Sequence, residues 1–223
     1  FLARAARYYL GSYSGFRREV WILAAVTFVN RAGTMVVPFL SLYLTKSMGL
    51  SLPHVGWVMS SFGLGSVGGS WLGGKLSDRI GFYEVMVGAL ITSGLAFFAL
   101  QFVHGFLPFC IGVFVLMLLS DGFRPAMFVA IRGYARAENR TRAVTLIRLA
   151  INLGFSLGPA IGGLIIAGWS YSGLFWVDGL TCIAAMGLML MALPRRQART
   201  DGQATRSVAT RSPYPLWDER GAA

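Results

Sequence analysis

The sequence predicts an all-α integral membrane protein: six transmembrane helices arranged as a 3+3 inverted repeat, with N- and C-termini cytoplasmic. Composition, the placement of the cations and a glycine pattern that occurs twice predict it. Hydrophobic residues make up 55% of the 223 residues and charged residues only 13%, with a mean hydropathy of +0.60. A soluble domain of this length could not bury so much apolar surface in one core.

Six apolar runs follow one another, near 20–44, 55–76, 85–103, 107–131, 143–167 and 174–193. Each is long enough for a helix rising about 1.5 Å per residue to cross a hydrocarbon layer about 30 Å thick. Residues 1–19 form a basic, aromatic cytoplasmic lead-in carrying Arg4, Arg7, Arg17 and Arg18. Residues 20–193 form one six-helix half-domain. From 194 to 223 Arg, Ser, Thr, Gln and Pro dominate and the apolar runs stop, as in a cytoplasmic linker or tail. The first run is too long for a cleaved signal peptide. Because the chain begins with Phe1, a start further upstream is expected.

The cations fix the orientation. Arg4 to Arg18, Lys75 with Arg79, the cluster from Arg132 to Arg142 and the arginines from Arg195 onward all fall on one side, leaving Lys46 in the outer loops. This positive-inside pattern predicts that both ends face the cytoplasm, and the plasma (cytoplasmic) membrane is the expected location. It also accounts for the net charge of +11. Nucleic acid, which would need a basic face on a soluble fold, is not an expected partner; the lipid bilayer is.

Gly65, Gly69, Gly73 and Gly74 in the second run recur 89 residues later as Gly154, Gly158, Gly162 and Gly163 in the fifth. Three spans separate the copies, so the second copy has the opposite membrane orientation, as in transporter repeats. Glycines four apart share one helix face and allow close docking. Pro159 removes a backbone donor, so a bend is expected in the fifth helix.

Between the second and third runs the stretch from Gly73 to Phe82 reads as a charged hairpin loop at the membrane surface. In it Asp78 is expected to accept N–H bonds at a helix start, and Arg79 to meet anionic headgroups. Gly74-x-Leu76-x-Asp78-Arg79-x-Gly81 resembles the loop signature between the second and third helices of the major facilitator superfamily. That family continues with two basic residues, where this chain has Phe82 and Tyr83, then Glu84. Gly154-x-x-x-Gly158-Pro159-x-x-Gly162-Gly163 resembles the fifth-helix motif of the family's antiporter branch, with Thr145 in place of an earlier glycine. The resemblance implies the N-terminal half of a twelve-helix transporter. The partner it implies is a second six-helix half, either a C-terminal half or a second copy. The stretch from Ser212 to Arg220 looks like the approach to a seventh helix.

Ionic residues at membrane depth mark the expected site. Arg31 lies about 11 residues into the first run, roughly 16 Å deep, where a charge costs about 2.5–3.5 kcal/mol. Asp121 and Arg124 are three residues apart, on one face of the fourth helix if it is continuous. If Asp121 neutralises one arginine, one cation remains for an anion to meet. Asn30-Arg31 with the stretch from Pro38 to Thr45, Arg124-Pro125, and Ile151-Asn152-Leu153-Gly154 are similar to patches of the proton-coupled oligopeptide transporters. The similarity implies a peptide-like or carboxylate-bearing solute. That family's proton-linked glutamates are replaced here by Asn30 and, upstream, by Val26 and Thr27. Asp121 is left as the proton-coupling candidate.

The expected function is therefore secondary transport of a small solute by alternating access, coupled to protons. A drug/proton antiporter of the same superfamily is the alternative. An intramembrane enzyme would need a nucleophile with its base, or metal ligands, at depth; a channel would need a carbonyl-lined filter. Neither pattern is found, and no metal or cofactor is expected. Cys110 and Cys182 are expected to pack in the core, and His54 and His104 fall at outer loop edges. Asp178, early in the sixth run, is expected at a helix start or the outer interface. Arg148 is expected to snorkel. Trp21, Trp57, Trp169 and Trp176 fit an interfacial belt.

Overall fold

Backbone polar groups in hydrocarbon must be satisfied within the chain, and a helix does so locally. The computed structural model describes residues 15–195, and these are helical with no strand among them. In order the helices are α1 (Arg18–Ala32), α2 (Val36–Lys46), α3 (Leu52–Ile80), α4 (Phe82–Leu100), α5 (Phe106–Ser120), α6 (Phe123–Tyr134), α7 (Arg140–Gly168) and α8 (Ser172–Ala192). A 3₁₀ turn, Ala137–Asn139, precedes α7. Five helical stretches are long and apolar enough to cross a membrane: Arg18–Lys46, α4, Phe106–Tyr134, Ala137–Gly168 and α8. At 29 residues α3 has the length, but its many Gly and Ser residues lower its hydropathy below theirs.

The first and fourth runs are not the continuous helices expected from the sequence. The first is interrupted between Ala32 and Val36, the fourth at Asp121 and Gly122. Gly33 and Gly122, one in each interruption, stand 89 residues apart, the separation of the two glycine sets. The expected loop from Gly73 is corrected too, because α3 continues through Gly73, Gly74, Lys75, Asp78 and Arg79 to Ile80. The turn is confined to Gly81, whose φ of +99° is one that side chains with a Cβ rarely adopt. Asp78 consequently lies in a last helical turn and not at a helix start, and it is exposed. Arg79 beside it complements the negative end of the dipole. α7 runs through Pro159 as one uninterrupted helix.

Close helix pairs carry the packing: α3 lies on α5, α7 on α1, and α4 on α8. A Cβ at Gly65 would fall 2.4 Å from the Phe114 carbonyl oxygen, at Gly69 2.5 Å from that of Leu118, and at Gly73 2.4 Å from the Gly122 Cα. The second set does the same work on α7. A Cβ at Gly154 would lie 2.7 Å from Arg31 Cβ, at Gly158 3.2 Å from the Ala32 oxygen, and at Gly162 2.9 Å from the Phe39 ring. Gly74 and Gly163 are looser, with first neighbours at 3.9 and 4.0 Å. Between α4 and α8 the Ser93 hydroxyl donates to Cys182 Sγ at 3.7 Å, again across 89 residues.

Two apolar clusters flank these contacts. Val20, Phe82, Met86, Phe123, Ile147 and Met189 belong to one; Leu40, Val58, Phe109, Leu174 and Phe175 belong to the other. Cys110 and Cys182 are buried free thiols. Trp21, Trp57, Trp169 and Trp176 are exposed.

Gly69→Val should lower stability by about 1–3 kcal/mol through overpacking, read as a lower melting temperature in detergent. Gly88→Ala, where nothing lies within 4 Å of the added carbon, should leave that temperature unchanged.

Candidate functional site

A broken helix inside a membrane protein frees backbone groups that other parts of the protein, or water, must satisfy. At the first break the Gly33 N–H reaches the Val29 oxygen and the Thr34 N–H the Arg31 oxygen, both at 3.1 Å. The next two donors find no local acceptor and turn to α8. The Met35 N–H lies 3.0 Å from each carboxylate oxygen of Asp178, and the Val36 N–H lies 2.8 Å from one of them. Asp178 is fully buried within the fold. It does serve a helix start, that of α2 and not its own. Gly33 is pressed onto the same turn of α8, since a Cβ there would fall 1.7 Å from Thr181 Oγ1.

The second break is held differently. The Asp121 N–H still reaches the Met117 oxygen at 3.0 Å, and the Arg124 N–H reaches the Asp121 oxygen at 3.3 Å. The Asp121 side chain accepts a hydrogen bond from the Ser66 hydroxyl of α3 and lies 4.0 Å from Arg124 Nη2. The two residues thus straddle a break instead of sharing one face of a continuous helix. Asp121 is buried, whereas half of the Arg124 side chain (51%) is exposed.

Arg31 occupies the last turn of α1, where a cation complements the dipole. It is buried, at 8% exposure, and its guanidinium lies 5.7 Å from the centre of the Phe155 ring of α7, within reach of a cation–π attraction. It is within Coulombic range of both Asp121 and Arg124. Among the described residues no carboxylate comes within ion-pair distance of it; the ion pairs are Arg124 with Asp121 and Arg195 with Glu84. The three ionic residues therefore form one group drawn from α1, the α5–α6 break and α6. Asn30 is buried beside them and donates to Cys182 Sγ at 3.7 Å, which ties it to α8.

Ser66, Phe155 and the bond from Asp178 to α2 are not foreseen from the sequence. Ser66 and Phe155 follow Gly65 and Gly154 of the two glycine sets, but that spacing assigns no role to the residue after the glycine. The 89-residue spacing of Gly33 and Gly122 is the available signal for the paired breaks.

The family-like segment lies elsewhere. Asp78 and Arg79 are exposed and make no ion pair among the described residues. In place of two basic residues, Phe82 is buried edge-on against Tyr134, with ring centres 5.5 Å apart. Tyr83 is buried with the Arg195 guanidinium 5.7 Å from its ring. Glu84 takes up Arg195 at 3.4 Å, and the Tyr134 hydroxyl donates to the Pro194 oxygen at 2.6 Å. The chain leaving α8 is thereby fixed against α4 and α6.

Discontinuous apolar helices that hold ionic side chains in their interior define a multi-pass membrane protein of the solute-carrier class. The chain belongs to the Major Facilitator Superfamily, whose family model matches residues 9–220. It is 29% identical over 202 residues to a putative sugar efflux transporter of Deinococcus radiodurans, covering 89% of this chain and 50% of that protein. It is 30% identical over 203 residues to an uncharacterised transporter of the same family from Mycobacterium tuberculosis, covering 86% and 46%. To the inner membrane transport protein YajR of Escherichia coli it is 28% identical over 184 residues, covering 81% and 39%. The chain spans about half the length of the first two of these relatives. A crystal structure of a peptide transporter in complex with sulfate shares the fold, with a TM-score of 0.75 at 17% identity, over 88% of this chain and 44% of that one. The relatives named above are membrane transport proteins.

Asp121→Asn should cost about 1–3 kcal/mol in the otherwise unaltered protein and measurably less in an Arg124→Gln background, with a coupling of about 0.5–1 kcal/mol. Thermal unfolding of the four proteins in detergent measures this. Equal losses in both backgrounds would mean that the two side chains do not interact.

Proposed function

We propose that this chain is the cytoplasm-anchored N-terminal half of a twelve-helix secondary transporter that moves a small, carboxylate-bearing solute by alternating access. The observation that carries the reading is the buried Arg31, with Arg124 and the carboxylate of Asp121 both in Coulombic range of it. Arg31 has no carboxylate at ion-pair distance among the described residues, and in a low-dielectric site such a cation is best met by an anion. Arg124, half exposed, is the cation a solute meets first; Arg31, held over Phe155, receives it deeper.

Six spans arranged as an inverted repeat fit this reading, with α3 as the second span and the two broken stretches as the first and fourth. The repeat is supported by the pairing of α3 with α5 and α7 with α1, by the contact of Ser93 with Cys182, and by the recurrence of a break at Gly33 and Gly122. Coupling to protons is assigned to Asp121, whose bond from Ser66 and distance to Arg124 both depend on its charge. Residues 20–193 form the membrane half-domain, both termini face the cytoplasm of a plasma membrane, and a second six-helix half closes the cavity. The coverage of about half of the relatives supports such a partner.

Efflux is the second reading. The name of the Deinococcus relative favours it, as does the Gly158-Pro159 motif in α7, and a sugar would use the Phe155 face and Asn30 without needing an anion site.

Proteoliposomes carrying the full-length protein, under an imposed proton gradient, can be offered a radiolabelled dipeptide, a sugar acid and a neutral sugar. Saturable accumulation of a carboxylate-bearing probe is expected, reduced at least about ten-fold by Arg31→Ala and by Arg124→Ala. Movement of the neutral sugar alone, unchanged in both variants, would transfer the case to sugar efflux. Unchanged movement of all three in both variants would remove the arginines from the site.

A further inference from the structure

The first four N–H groups of any helix lack intrahelical acceptors. At a membrane surface water takes them, but α2 begins inside the fold, and its cap residue Met35 is αR with no side-chain hydrogen bond of its own. Local sequence therefore leaves the start of α2 unsatisfied, and the acceptor arrives from 142 residues away in Asp178. Among the described residues Asp178 pairs with no lysine or arginine. Its carboxyl group is held instead by the N-terminal end of α2, through bonds from two consecutive N–H groups.

The same stretch of α8 grips the rest of the break. Thr181 abuts Gly33, and Cys182 receives the Asn30 amide. The other break is held otherwise: Gly122 is pressed against Gly73 of α3, and the Asp121 side chain meets the side chains of Ser66 and Arg124 instead of a helix start. The first break, unlike the second, is closed by a carboxylate on a different helix, and it is immediately followed by the half-helix that this carboxylate orients. Arg31 and Asn30 sit on the near side of that joint.

We propose that Asp178 is the positioning residue of a hinge between α1 and α2: its carboxylate, held by the N–H groups of Met35 and Val36, fixes where Arg31 stands, and its release accompanies opening of the site. The inference rests on the transporter reading above. It differs from a static cap in requiring that the bond be broken and remade during the cycle.

Hydrogen–deuterium exchange on the full-length protein in lipid nanodiscs tests the hold directly, comparing the unaltered protein with Asp178→Asn. The amide that replaces the carboxylate loses the charge and turns one donor group toward the N–H pair. Exchange at residues 34–37 is expected to accelerate at least about ten-fold, while residues 121–124 at the other break stay within about two-fold. Asp178→Ala should accelerate residues 34–37 further; if that variant fails to fold, the Asn variant still decides. No acceleration at 34–37, or equal acceleration at both breaks, would overturn the proposal.

In the proteoliposome assay, Asp178→Asn should lower the maximal rate at least about ten-fold while the half-saturating concentration stays within about three-fold. A faster-exchanging break with unchanged transport would overturn the hinge role and leave a static cap. If the unaltered protein moved none of the probes, the transporter reading would fall, and the exchange result would still decide whether Asp178 holds the break.

Discussion

Carbonyl oxygens of one helix resting against bare glycine positions on another are the contact on which this architecture depends. Where a Cβ would stand 2.4–2.5 Å from a carbonyl oxygen, as at Gly65 and Gly69, no other residue type fits without moving a helix. In lipid no hydrophobic force drives helices together, so close van der Waals approach has to supply the association. The consequence reaches beyond packing. Gly73 lies against Gly122, and Gly154 and Gly158 lie against Arg31 and Ala32. The continuous helices α3 and α7 thus act as rails along which the two broken stretches are laid.

That arrangement explains why costly ionic groups can be kept in the interior. A helix break exposes backbone donors and acceptors that must be satisfied, and it also turns side chains away from a regular helix face. Asp121 is brought within reach of Ser66 and Arg124 because it stands in such a break. Arg31 ends α1 just before the other break and is covered by Phe155 from α7. The charges are partly matched within the fold: Asp121 lies beside Arg124, and Arg31 has no carboxylate within ion-pair distance among the described residues.

Much of this was legible in the sequence, and the parts that were not share a cause. Hydropathy located the apolar runs to within a few residues, and the four-residue spacing of Gly65, Gly69 and Gly73 identified a docking face that the structure uses. The charged stretch after Gly73 was misread because charge reports where a chain leaves hydrocarbon, not where its helix ends; α3 simply continues to Ile80. Pro159 lies inside α7, which continues through it. Gly33 went unnoticed among 28 glycines. Its break is met by Asp178 and Thr181, far along the chain, and no local pattern encodes that. Asp121 and Arg124 were rightly paired by spacing, but Ser66 on another helix could be found only in three dimensions.

The central claim is that the ionic group lies where water and solute can reach it from either side in turn. Phe155, partly exposed over Arg31, offers the most direct probe. A cysteine at that position, in a protein freed of its native thiols and reconstituted in sealed vesicles, can be challenged with a membrane-impermeant thiol reagent from each compartment separately. Alternating access predicts labelling from both sides of the same preparation, with the balance shifting when the proton gradient is reversed. Labelling from one side only under every gradient, or from neither, would contradict it.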